Sequence, residues 1–236
     1  PKKDVTLAAL FDSLSEAVQA SHALLGRPST PQALEIALIG KNRRDEDGGA
    51  RTPTCNLYAR LLSSEAAMER RLSDCTGLLE QAGASNAQVA GSKAASQTWE
   101  WLADFGWDPQ AGSGLLVRMG CVPSRVGEMT QGVEEMVRNA QYQASMVVGP
   151  GRGVVKVFMP GVKWSDPGTA GNAVDEMRRL AVALGGYAIV ERCPLPAKAQ
   201  LDVWGDPGPG LPLMRRLKEQ MDPKGILNPG RFVGGM

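Results

Sequence analysis

No apolar run in this chain reaches the roughly 18–20 residues that a bilayer-spanning helix needs, so a membrane span is not expected. No hydrophobic core segment follows Pro1-Lys2-Lys3-Asp4, which argues against a secretory leader. The first residue is proline rather than methionine, so a fragment or processed chain is expected. Charge excess is also missing: 26 basic residues face 25 acidic ones, for a net charge of +1. Without a basic block, nucleic acid is a poor partner. Histidine is reduced to His22 alone, and no second ligand lies near it at metal spacing, so no metal site is expected. The four cysteines, Cys55, Cys75, Cys121 and Cys193, are too far apart for a CxxC site or an iron–sulfur cluster. They read as buried free thiols of a cytoplasmic protein.

What remains is an ordinary globular composition, 43% hydrophobic and 22% charged over 236 residues. Residues 5–25 carry Leu7, Leu10, Phe11, Leu14, Val18 and Leu25 at helical spacing, ended by Gly26 and Pro28. Residues 33–40 alternate as a strand, with Leu34, Ile36 and Leu38 on one face. Lys41–Arg51 is charged and glycine-rich, an exposed loop whose functional alternative is a phosphate clamp. A strand at 56–62, a helix at 64–82, a short strand at 86–90 and a tryptophan-rich helix at 92–107 follow.

The second half reads as a strand at 114–122 and a helix at 125–141 capped by Ser124. Strands at 144–149 and 153–159 flank a tight turn, and a helix at 168–184 leads to a strand at 187–192. That order is β-α-β-β-α-β, the ferredoxin-like split unit. The first half shows the same order without its initial strand, which is expected to lie upstream of Pro1. The fold class is therefore α+β: two ferredoxin-like units, the first lacking a strand, with antiparallel sheet and helices on one side. Residues 193–210 form a proline- and glycine-rich linker, and a last helix at 210–221 carries Leu213, Met214, Leu217 and Met221.

The chain closes on Asp222-Pro-Lys-Gly-Ile-Leu-Asn228-Pro-Gly-Arg231. With the preceding Leu-Met-Arg-Arg-Leu-Lys helix, this tail resembles the C-terminal signature of FAD-linked oxidases of the vanillyl-alcohol oxidase and p-cresol methylhydroxylase superfamily. Within it, the likeness is nearest to the FAD-binding subunit of bacterial glycolate oxidase. Pro31–Glu35 and Val117–Ser124 are similar more weakly.

The resemblance implies a cap and substrate domain over 1–192, in halves of about 1–110 and 111–192. Residues 193–236 would then be the linker, last helix and tail of the same domain. It implies an oxidoreductase acting on a small 2-hydroxy acid, with FAD bound mainly by an N-terminal domain that this chain lacks. A catalytic flavoprotein subunit, an iron–sulfur subunit and membrane association through such a complex are further implied partners. Where relatives carry a Gly-His-rich motif, this chain reads Gly185-Gly-Tyr-Ala-Ile-Val-Glu-Arg192, without histidine. That departure suits a non-catalytic assembly subunit. The paired units alone also suit a ferredoxin-like ligand-binding module.

Four residues are candidates for chemistry. Oxidation of a hydroxy acid needs a cation for the carboxylate and a base for the hydroxyl proton. Arg118 interrupts a strand on the face opposite Val117 and Met119, and a guanidinium forks a carboxylate well. Its bland alternative is an exposed arginine. Glu191, sharing a face with Tyr187 and Ile189, is the candidate base, or else an ion-pair partner for Arg192 or another cation. Asn228 and Arg231 are implied, by the resemblance, to approach the cofactor. The Gly149-Pro-Gly-Arg-Gly153 run lacks the following helix that a dinucleotide loop requires.

Overall fold

The computed structural model describes residues 3–40, 54–107 and 112–236. The Lys41–Arg51 loop, with its phosphate-clamp alternative, lies outside the described residues.

The first unit is complete. Strand β1 (Lys3–Phe11) precedes helix α1 (Leu14–Leu25), and β2 (Ala33–Ile39), β3 (Thr54–Ser63), α2 (Glu65–Gln81) and β4 (Asn86–Ala90) follow. The expected missing strand is thus present, inside the segment read as one long helix. Leu7, Leu10, Phe11, Leu14 and Val18 satisfy a helical period, yet Leu7, Ala9 and Phe11 are buried in strand alternation. The break is chemical: the Ser13 hydroxyl accepts from the Glu16 backbone N–H at 3.2 Å, starting α1 with a Ser-x-x-Glu pattern.

The second unit runs β5 (Gly114–Gly120), α4 (Val126–Asn139), β6 (Ser145–Gly149), β7 (Val154–Pro160), α5 (Pro167–Ala183) and β8 (Tyr187–Arg192). Ser124 does not cap α4. It sits in a one-turn 3-10 segment, Pro123–Arg125, which leaves Arg125 at the cap position. Asp166 does cap α5, accepting from the Thr169 N–H at 2.7 Å. Gly153 is required between β6 and β7. Its φ is +63°, and a Cβ there would lie 2.0 Å from the Cys121 carbonyl oxygen.

The eight strands make one antiparallel sheet in the order β4-β1-β3-β2-β6-β7-β5-β8. The units join edge to edge through β2 and β6, at Ile36–Val148, Ala37–Val147 and Leu38–Met146. Helices α1, α2, α4 and α5 cover one face and share the main core with Leu7, Ile36, Leu57, Val117 and Val157. Helix α3 (Ser92–Ala103) lies on the opposite face. There Leu102 and Phe105, with Trp99 and Trp101 beside them, pack on Ala37, Val147, Phe158 and Leu116. The Trp99 indole N–H donates to Thr6 Oγ1 at 2.9 Å. Trp99 and Trp101 are therefore half-buried against this second cluster, while Trp107 is 53% exposed.

Residues 193–210 form a strap rather than a loose linker. Short helix α6 (Leu195–Lys198) buries Ala197, and the Val190 N–H donates to the Val203 carbonyl at 2.8 Å. Helix α7 (Leu211–Met221) follows and buries none of its residues. No helix among the described residues is long and apolar enough to cross a membrane.

Candidate functional site

Alternation along each strand sends its odd and even residues to opposite faces. On the face that carries α3, the second unit presents Arg118 from β5, Lys156 from β7, and Ile189 and Glu191 from β8. Arg118 is in register with Lys156 on one side and Ile189 on the other. A bulge in the β5–β8 pairing falls between Leu116 and Val117. Arg118 Nε lies 3.0 Å from Glu191 Oε1, and Lys156 Nζ lies 4.0 Å from Glu191 Oε2. The two expected residues are thus brought into contact. Glu191 pairs with Arg118 rather than with its neighbour Arg192.

The contact is an ion pair without full hydrogen bonding. Arg118 Nε and Glu191 Oε2 are buried and lack hydrogen-bonding partners. An unmet acceptor beside two cations is costly unless a further group engages it. Arg192 serves a different end. Its guanidinium donates to the carbonyls of Gly106 and Gly112, both at 2.6 Å, and lies over the Phe158 ring. It holds Gly106, the residue before Trp107.

These groups floor a cleft of about 1040 Å³ between β8, the strap and the tail. Trp107, Trp204, Leu195, Arg231 and Phe232 form its sides and rim. The tail returns to the strap: Trp204 Nε1–H donates to the Arg231 carbonyl at 3.2 Å, and Phe232 packs 6.3 Å from the Trp204 ring. Arg231 therefore borders the cleft, whereas Asn228 does not. Asn228 sits exposed at φ +47°, and its carbonyl accepts from the Arg231 N–H.

The tail signature has a local structural reason. Asp222 Oδ1 accepts from the Ile226 N–H at 3.1 Å, and Oδ2 accepts from the Leu227 N–H at 2.9 Å and from Lys218 Nζ. The Lys218 ammonium holds the Asp222 carboxyl below its ordinary value, helped by the Leu227 N–H. The turn so fixed leaves Ile226 70% exposed. On α7, Leu213, Leu217 and Met221 recur every four residues and are exposed, so they make an uncovered apolar stripe.

Sequence reading missed Lys156 and Glu35, though the signal that exposed Arg118 applied to both. Each is a charged residue within a strand whose neighbours face the core. Glu35, 12% exposed, accepts from Arg152 Nη2, and its Oε2 is buried without a partner. It lies three strands from Arg118, roughly 14 Å across the sheet. Burial pushes the Glu35 carboxyl up to about 7, against the pull of Arg152 and Lys156.

A raised carboxyl stabilises the fold while protonated. That contribution is whole below about 4.5, the ordinary value, and is lost as pH rises through about 7. Glu35→Gln is therefore expected to be about 2 kcal/mol more stable than the wild type at pH 8 and no more stable at pH 4.5. Thermal unfolding at both pH values tests this. Parallel pH profiles for the two proteins would show that Glu35 is not the titrating group.

Arg152 belongs to the one-turn link Pro150–Arg152 between antiparallel β6 and β7, so no helix follows the Gly149–Gly153 run. That run therefore lacks the strand–glycine–helix order of a dinucleotide loop. Among the described residues no cluster of three or more histidine, cysteine or acidic side chains could hold a metal. All four cysteines are free, and burial raises the thiol pKa of each, Cys55 to about 12. His22 is exposed on α1.

Architecture and cleft define a class: a fused pair of split β-α-β-β-α-β units, covered by four helices on one face, with α3 and a charged cleft on the other. The model of the family "FAD linked oxidases, C-terminal domain" matches residues 1–191 and 204–232. The chain belongs to that family. Among solved structures it is similar to a 4-ethylphenol oxidase from Gulosibacter chungangensis in complex with isoeugenol, at 13% identity and TM-score 0.58 over 97% of this chain. It is also similar to an alkyldihydroxyacetonephosphate synthase, at 12% identity and TM-score 0.54 over 94% of this chain. The chain spans 53% and 43% of those two proteins, about half their length. No curated protein matches it. An oxidase and a synthase share this fold, so the fold does not fix the reaction.

Proposed function

We propose that this chain is the cap and substrate domain of an FAD-dependent oxidoreductase acting on a small 2-hydroxy acid such as glycolate. The observation that carries the reading is the Arg118–Glu191–Lys156 set on the floor of the cleft. Arg118 would fork the substrate carboxylate, and Lys156 would add a point charge beside it. Glu191, whose Oε2 has no partner, would accept the hydroxyl proton. FAD, when bound, supplies the acceptor for the two electrons of the oxidation. Arg231, at the rim, and Asn228, beside it, are this chain's residues for the cofactor side. Most of the FAD would lie in an N-terminal domain of the same protein.

The test is to express the protein with its upstream sequence, look for flavin absorbance, and add glycolate or lactate without oxygen. Bleaching of the flavin by either acid is expected. A colourless protein, or a flavin that stays oxidised with both acids, would overturn the reading.

A second reading has support from α7. Its apolar stripe and the histidine-free β8 suit an assembly subunit that docks a catalytic flavoprotein and an iron–sulfur partner. In the first reading the same stripe lies against the protein's own FAD domain. Leu217→Asp discriminates between them. In this chain alone it is expected to change stability by less than about 0.5 kcal/mol, because Leu217 is exposed. In the flavin-loaded full-length protein it is expected to lower the melting temperature and speed flavin loss. Equal melting of variant and wild type in full length, with loss of copurifying subunits, would favour the assembly reading.

A further inference from the structure

We infer that the cleft takes a carboxylate bearing an extended aromatic arm, in preference to a bare two-carbon acid. The inference rests on reading the cleft as the substrate site. Its first support is size. At about 1040 Å³ the half-open cleft has far more room than a two-carbon acid fills. A two-carbon hydroxy acid would contact the charged floor and leave the walls unused.

The second support is the chemistry of those walls. Trp107 and Trp204 border the cleft and are 53% and 37% exposed. Trp204 is fixed through its indole N–H to the Arg231 carbonyl and by packing on Phe232. The Trp107 backbone is held: it follows Gly106, whose carbonyl Arg192 grips at 2.6 Å, and its backbone N–H donates to the Asp104 carbonyl. Two partly exposed indoles lining the same cleft as Arg118 and Lys156 suit a ligand that is aromatic at one end and anionic at the other.

The third support is where the wall comes from. Residues 192–203 fall between the two segments that match the family. Leu195, Lys198 and Leu201, on the strap wall, lie in that stretch. This wall therefore lies outside the two stretches that match the family. That is where substrate selection is expected on a common scaffold.

The experiment uses the flavin-loaded full-length protein. Flavin reduction is followed with 3-phenyllactate and with glycolate, and tryptophan fluorescence with phenylacetate and acetate, which carry no hydroxyl to oxidise. The aromatic acid is expected to exceed glycolate in kcat/KM by about tenfold or more. Phenylacetate, but not acetate, is expected to change the fluorescence. Trp107→Ala and Trp204→Ala should each bring the kcat/KM ratio towards one; the first guards against a strap disordered by the second.

Equal or better kcat/KM with glycolate would overturn this inference while leaving the hydroxy-acid reading intact. Fluorescence changes without reduction by either acid would uphold the aromatic cleft and sink that reading. No response in either assay would sink both.

Discussion

Arg118→Met in the flavin-loaded full-length protein is expected to raise KM for a 2-hydroxy acid by about 10–10²-fold. Removing one partner from a buried charge-paired contact typically costs about 2–5 kcal/mol. The Arg118 side chain is 37% exposed, so solvent screening brings the effect to the low end, and a methionine keeps the apolar stem while deleting the fork. The effect is expected mainly in KM, because the carboxylate is held alike in ground and transition states. A smaller loss in kcat is expected, since the same fork orients the reacting carbon. Arg118→Lys keeps the charge without the planar fork and should fall between the two. A KM within about threefold of wild type for Arg118→Met would exclude a carboxylate contact at this residue.

The same substitution has a second consequence, set by the geometry around Glu191. That carboxylate is 19% exposed, and without Arg118 its remaining cation is Lys156 at 4.0 Å. Leaving a largely buried acceptor underpaired costs stability. A protein with Arg118→Met should therefore also melt at a lower temperature. An arginine that merely decorated the surface would change neither KM nor melting temperature.

Periodicity carried much of the architecture. Strands β2, β3 and β5 to β8 are short alternating segments bounded by turn residues, and helices α2, α4 and α5 carry apolar stripes that end at glycine or at a turn. The β-α-β-β-α-β order was legible in full in the second half and without its first strand in the first half. Strand β1 was hidden because it runs into α1 with only Asp12 and Ser13 between them. Leu7 and Phe11 fit both periods, and the Ser13–Glu16 cap marks where the strand gives way to the helix. The position of α3 was also illegible, since a helix can cover either face of a sheet.

At the site, the two residues that interrupt strands, Arg118 and Glu191, were legible one by one, but their partnership was not. It depends on the β5–β8 register and the bulge that shifts it. Trp204 and Arg231 are brought together by a hydrogen bond between segments 27 residues apart, which no local pattern announces. The Asp222 turn is the opposite case. Its signature is local, and the carboxylate that receives two backbone amides explains why an aspartate opens it.

Trp164→Ala is expected to cost about 3–5 kcal/mol, the range for deleting a large buried aromatic, and to lower the melting temperature by about 10 °C. Trp164 is fully buried although it sits in a four-residue turn, Val162–Ser165, between β7 and α5. Its indole N–H donates to the Pro160 carbonyl at 3.2 Å, and Tyr142 packs edge-on at 4.9 Å. One side chain thus pins the β7–α5 link to the α4–β6 link. The turn also lies against α6, where Ala197 is buried, so it supports the strap that walls the cleft. The loss should therefore extend beyond global stability, with faster proteolytic cutting within 193–203 at temperatures where the sheet remains folded. Trp164→Phe keeps most of the volume and gives up the Pro160 contact, and should cost less than half as much as the alanine variant. A Trp164→Ala protein that melts within about 2 °C of wild type would mean that the cavity closes and that the strap draws its order from elsewhere.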